Sequence, residues 1–192
     1  MNYQDYIWDL GGTLLDNYGT STAAFVHTLQ DFGLTASHDE VYKALKVSTE
    51  YAVRQFAPRN KEFLKAYKAN EAKELEHPIL FEGASELLAQ IIQQGGRNFL
   101  ISHRDDQVLE ILQKTQISAY FTEVVTATNG FKRKPDPESM LYLKDKYQIQ
   151  SGLVIGDRSI DVEAGQAAGF SCYLFDNMKN LEEFVDIELE KE

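Results

Sequence analysis

The sequence predicts an α/β fold built on a five-stranded parallel sheet, with an all-helical segment inserted after the first strand. Two observations carry this expectation. From residue 80 onward, short apolar runs alternate with segments of helical period, the pattern of parallel strands joined by crossover helices. Between residues 16 and 80 only helical periods occur, with no strand pattern.

The first strand is the apolar run Tyr6, Ile7, Trp8, which ends at Asp9. In the insert, residues 21–32 place Phe25, Leu29 and Phe32 on one helical face and stop at Gly33. Ser37-His38-Asp39-Glu40 has the form of a capping box, and Val41, Ala44 and Leu45 continue as its apolar face. Residues 49–56 form a third helix before Pro58, and 61–75 a fourth carrying Phe63, Leu64 and Tyr67, bounded by Pro78. Hinges are expected over 15–20 and 77–83. The division is therefore a core of residues 1–15 and 81–192 and a helical cap of residues 16–80.

The core continues with a helix over 83–94, which sets Leu87, Leu88, Ile91 and Ile92 on one face and stops at Gly95-Gly96. A strand over 98–102 and a helix over 106–114 follow. Residues 123–127 read as the third strand, and 137–146 as a helix opened by Pro137. Residues 153–155 are a buried strand, 160–168 a helix and 171–175 the last strand. Helices on both faces of such a sheet give a Rossmann-like sandwich.

Composition narrows the partners. Acidic side chains number 30 against 19 basic ones, a formal charge of -11 over 192 residues. Most of that surface repels polyanions, so nucleic acid and membrane are not expected partners. A small anion remains compatible with a few cations gathered in one cleft. Cys172 is the only cysteine, which excludes an intrachain disulfide and suits a reducing compartment. The first residues lack the basic and apolar regions of a signal peptide, and no run approaches eighteen apolar residues. A cytoplasmic protein, monomeric or weakly homodimeric, is the expectation. The acidic residues 182–192 read as a solvated helix end.

Ligands of open parallel sheets bind at the carboxyl ends of the strands. The residues expected there are Asp9, Ser102, Lys134 and Asp157. Two carboxylates, a hydroxyl and an amine suit phosphoryl transfer, which depends on positioning and charge neutralisation.

Four motifs extend this reading. Asp9-Leu10-Gly11-Gly12-Thr13 resembles the first motif of the haloacid dehalogenase superfamily, aspartate-x-aspartate-glycine-threonine, with one change. Leu100-Ile101-Ser102, Lys134-Pro135-Asp136-Pro137 and Gly156-Asp157-Arg158-Ser159-Ile160-Asp161 resemble the second, third and fourth, in order. The resemblance covers nearly the whole chain and points to subfamily IA, the phosphoglycolate phosphatase-like branch. It implies an Mg2+-dependent phosphatase acting on a small phosphorylated metabolite. Asp9 would be the nucleophile, forming an aspartyl-phosphate, and would share the metal with the Gly11 carbonyl and Asp157. Asp161 would lie in the outer shell, orienting a metal water or Lys134. Gly12, Thr13, Ser102, His103, Arg104 and Lys134 would contact substrate, and the insert would resemble a substrate-selecting cap.

The change is Gly11, where most phosphatases of this family carry a second aspartate that protonates the leaving group and activates water. A water held in the vacated space, His103 and Asp16 are candidates to replace it. Two other readings follow: a weak phosphate-binding or regulatory protein, or phosphonatase- or dehalogenase-type chemistry. Asp157 and Asp161 argue against the dehalogenase, and no lysine of the insert stands out as the phosphonatase Schiff base.

Overall fold

The computed structural model describes residues 3–74 and 76–189; Leu75, expected in the fourth insert helix, and residues 190–192 of the acidic tail lie outside the described residues. β1 (Asp5–Trp8) is followed by four helices, α1 (Asn17–Asp31), α2 (His38–Val47), α3 (Thr49–Phe56) and α4 (Phe63–Glu74). The chain then alternates: α5 (Ala84–Gln93), β2 (Arg97–Ile101), α6 (Gln107–Lys114), β3 (Phe121–Val125), α7 (Glu138–Tyr147), β4 (Gly152–Gly156), α8 (Ser159–Ala167), β5 (Ser171–Leu174) and α9 (Met178–Leu189).

The five strands pair in the order β3-β2-β1-β4-β5, all parallel. Chain order reverses at β1, which lies between β2 and β4, so the topological switch falls beside it. Alternation along β1 sorts its side chains between two cores. Tyr6 and Trp8 join Leu100 and Ile155 in a layer with Leu88, Leu112 and Leu181 of α5, α6 and α9. Ile7 joins Phe99 and Val154 in a layer with Leu143 and Ala164 of α7 and α8. Burying a side chain of that size is worth about 1.5–3 kcal/mol. The buried Trp8 indole donates to Asn98 Oδ1 at 2.9 Å, and Asn98 Nδ2 donates to the Leu88 carbonyl at 3.0 Å.

The chain divides into two compact units, Met1–Leu15 with Leu80–Glu192, and Asp16–Ile79. Leu80, expected in the insert, bridges back to Leu15 and so counts with the first unit. The second unit has its own core, in which Phe25 packs edge-on against Phe63 and Tyr67, each at 4.9 Å between centroids.

The boundaries of α1 and β3 differ most from the sequence reading, for local reasons. α1 begins at Asn17 rather than at 21, because the Asp16 carboxylate caps it by accepting from Gly19 N at 2.8 Å. Its first turn carries no apolar stripe, so periodicity alone starts too late. β3 runs Phe121–Val125 rather than 123–127, because Thr126 opens a 3₁₀ turn over Ala127–Asn129. Thr126 Oγ1 accepts from Thr128 N, and Asn129 Oδ1 from Thr126 N. Among the described residues no helix is long and apolar enough to cross a membrane.

Candidate active site

Sheet register brings the predicted residues to one edge. Asp9 follows β1, and its backbone N–H extends the ladder to Ile155 O at 2.9 Å. Ser102 follows β2 and is tied in the same way to Val125 O at 2.9 Å. Asp157 follows β4, and Lys134 arrives from the long loop after β3. Asp9, Ser102, Lys134 and Asp161 are all buried.

Lys134 is the hub. Its Nζ contacts Asp9 Oδ1 at 2.6 Å, Asp161 Oδ1 at 2.5 Å and the Ile101 carbonyl at 3.3 Å. The contacts to Asp9 and to the Ile101 carbonyl are hydrogen bonds, and the contact to Asp161 is a buried ion pair. Asp161 also accepts from Arg158 N at 3.2 Å through Oδ2, which anchors the first turn of α8. Gly156 allows this packing, since a Cβ there would collide with the Asp161 side chain.

Oxygens of Asp9, Asp157 and Asp161 lie within 4.8 Å of one another. Asp157 Oδ1 is buried with no hydrogen-bond partner. Burial first, then the charges of Asp9 and Asp161, push the Asp157 carboxyl up to about 6, against the opposing Arg158. Burial also raises Asp9 above the ordinary carboxylate range although Lys134 pulls it down. Sequence reasoning passed over Arg158; the signal was its place next to Asp157, inside the fourth motif.

The other expected residues fall around this centre. Gly12 has a φ of +87°, and a Cβ there would strike the Asp157 carboxylate, so both conformation and space require glycine. Thr13 is fully buried with Oγ1 unpartnered. Ser102 Oγ accepts from Arg104 N at 3.3 Å, which leaves its O–H to donate elsewhere. Arg104 is exposed. The half-buried His103 accepts from Lys134 N at 2.9 Å through Nε2. Burial and the charges of Lys134, Arg133 and Arg158 push its imidazole down to about 4, so it is neutral at physiological pH.

A parallel sheet with these groups at its switch point matches a known family. The family model described as haloacid dehalogenase-like hydrolase matches residues 6–175. The chain belongs to this family. It is 69% identical to a hydrolase of Streptococcus pneumoniae TIGR4 of known crystal structure, which superposes with a TM-score of 0.94 over 97% of this chain and 100% of that one. Among curated proteins it is 29% identical to a phosphoglycolate phosphatase of Aliivibrio fischeri, over 88% of this chain and 81% of that protein. It is 25% identical to a pyrophosphatase of Oceanobacillus iheyensis, also over 88% of this chain and 81% of the other. The chain is thus a haloacid dehalogenase-like hydrolase, phosphoglycolate phosphatase-like in sequence.

Proposed function

We propose that this hydrolase is a phosphatase that transfers the phosphoryl group of a small phosphomonoester to Asp9 and then to water. One observation carries the reading: a buried Asp9 held by Lys134 at 2.6 Å, beside an Asp157 whose buried Oδ1 has no partner. Lys134 fixes Asp9 through Oδ1 and leaves Oδ2 as the attacking atom. The new bond is Asp9 Oδ2 to phosphorus, and the bond that breaks joins phosphorus to the ester oxygen. Ser102 donates to a phosphate oxygen, and Gly12, backed against Asp157, lets backbone approach the phosphate closely. Water then attacks the aspartyl-phosphate, releasing phosphate and restoring the Asp9 carboxylate.

The residues fit a divalent cation, taken here as Mg2+. Three carboxylates share one small space, the buried Asp157 Oδ1 has no hydrogen-bond partner, and burial, then like charges, raise the Asp157 pKa. Asp9, the Gly11 carbonyl and Asp157 would hold it, while Asp161, spent on Lys134 and Arg158 N, acts in the outer shell. When bound, the ion neutralises charge on the phosphoryl oxygens and keeps both carboxylates ionised.

Both side-chain candidates for the missing acid are engaged elsewhere. The Asp16 carboxylate caps α1 through Gly19 N, and the neutral His103 has spent its lone pair on Lys134 N. The enzyme is therefore slow on poor leaving groups. That same observation favours a second reading, a phosphate-binding protein with negligible turnover. The deciding assay is hydrolysis of p-nitrophenyl phosphate with and without magnesium, followed by a screen of phosphorylated metabolites. Binding of inorganic phosphate without any hydrolysis supports the second reading, and full activity in excess chelator rejects the metal site.

Metal binding also has a pH signature. Asp157 titrates near 6 when folded against about 3.9 unfolded. A raised folded pKa adds stability below about 4 and loses it as pH rises through about 6. Magnesium should therefore raise Tm more at pH 7.5 than at pH 5, because protons compete for the same oxygens. Asp157→Asn should remove the magnesium shift and raise the metal-free Tm at pH 7.5 by roughly 2–4 °C, as expected for about 1 kcal/mol. Differential scanning fluorimetry reads both; an unchanged magnesium response in Asp157→Asn contradicts the assignment.

We assign substrate selection to the helical insert. Its two connections run side by side, with Asp16 N bonded to Ile79 O at 2.9 Å and Leu15 bridged to Leu80. Residues 16–79 can therefore be replaced by a short linker. That variant should retain hydrolysis of p-nitrophenyl phosphate and lose discrimination among metabolites. An unchanged metabolite preference would place selection in the core.

A further inference from the structure

We infer that His103 is a positioning residue, which sets Lys134 through that residue's backbone rather than by touching substrate. The inference rests on the phosphatase reading and assigns one of its residues.

Between the end of β3 and the start of α7 lie residues 126–137, whose regular structure is one 3₁₀ turn over Ala127–Asn129. A lysine carried on such a loop reaches a fixed point only if its own backbone is fixed. Three bonds tie this loop to the segment after β2. Ala127 N donates to Arg104 O at 2.8 Å, Thr126 Oγ1 to Asp106 Oδ1 at 2.8 Å, and Lys134 N to His103 Nε2 at 2.9 Å. The first two hold the start of the loop. Only the third acts at Lys134 itself.

The chemistry of the bond is specific. Accepting from an amide needs an unprotonated Nε2, so the ring proton sits on Nδ1. At the other end of the same residue, Nζ is shared by Asp9 and Asp161. His103 thus completes a chain from the end of β2, through Lys134, to the carboxylate proposed to attack. Reacting groups displaced by about 1 Å can lose about 10²-fold in rate, whereas ground-state binding through Ser102 and Asp157 does not depend on the Lys134 backbone.

The test compares His103→Ala and His103→Gln. The Gln side-chain oxygen can stand in for Nε2 as an acceptor. Two quantities are read: steady-state kinetics on p-nitrophenyl phosphate with magnesium, and hydrogen exchange of the Lys134 amide by NMR. Exchange of the Phe99 and Val154 amides in the central strands reports an intact fold. His103→Ala is expected to lower kcat by about 10–100-fold with KM within about twofold, and to speed Lys134 exchange. His103→Gln should recover most of both. Faster Lys134 exchange with unchanged kcat overturns the inference. So does a loss of kcat that His103→Gln fails to rescue while Lys134 stays protected, since that marks direct contact with substrate. A wild-type protein that hydrolyses no phosphate ester would sink the phosphatase reading instead; the inference then stands or falls on exchange alone, and unaltered Lys134 exchange in His103→Ala rejects it.

Discussion

Asp9→Asn is expected to remove turnover, by a factor on the order of 10⁴–10⁶ as for other essential nucleophiles. An amide is a poor nucleophile toward phosphorus and offers no second anionic oxygen to a cation. The change preserves shape at the end of β1 and should leave the fold intact. Lys134 would keep Asp161 and the Ile101 carbonyl as partners, so the cost in stability should be small. Circular dichroism together with p-nitrophenyl phosphate turnover checks this. A folded variant with undiminished activity removes Asp9 from the chemistry.

Gly11→Asp should move the rate the other way. The substitution supplies a carboxyl where relatives of the superfamily carry their acid and base, and proton transfer of this kind is worth about 10²–10⁴. We expect a gain of about 10²-fold for alkyl phosphates, whose leaving groups need a proton, and a smaller gain in the first step for aryl phosphates, which need little help. Comparing kcat/KM for an alkyl and an aryl ester separates the two. An equal gain for both would argue against an acid role. No gain at all would show that water already performs the transfer. Because Gly12, next in sequence, already crowds Asp157, a structure of the variant should accompany the kinetics.

Much of this was legible in the sequence because strand ends carry a double signature. Tyr6, Ile7 and Trp8 mark a strand by apolarity, and Asp9 then breaks the run with a charge that no core accepts unpaired. Asp157 after Gly156 does the same. The parallel sheet could be anticipated from the crossover rule, but its strand order and most partners within the site could not. The resemblance offered Lys134 as one partner of Asp161, but nothing in the local sequence says that His103 turns its ring to the Lys134 amide, because the two contacts span 27 and 31 positions. The start of α1 was misplaced for the opposite reason. Its first turn is set by the Asp16 cap, a polar signal that hydrophobic periodicity does not register. That same cap disqualified Asp16 as a substitute acid, a point only geometry could make.

Under the proposed mechanism, glycine at position 11 has a kinetic consequence that bears on the central claim. With an aryl phosphate the first step needs no acid, whereas the second still needs water activated without a base. The aspartyl-phosphate should therefore accumulate, giving a burst of phenolate before a slow steady state. The most direct measurement is to quench the enzyme during turnover of p-nitrophenyl phosphate with magnesium, reduce with borohydride and map peptides by mass spectrometry. An acyl phosphate is reduced to an alcohol, which would convert Asp9 to homoserine. Conversion is expected at Asp9 alone, dependent on both ester and magnesium. Steady turnover with Asp9 unmodified, or with the reduced residue at another carboxylate, would contradict it.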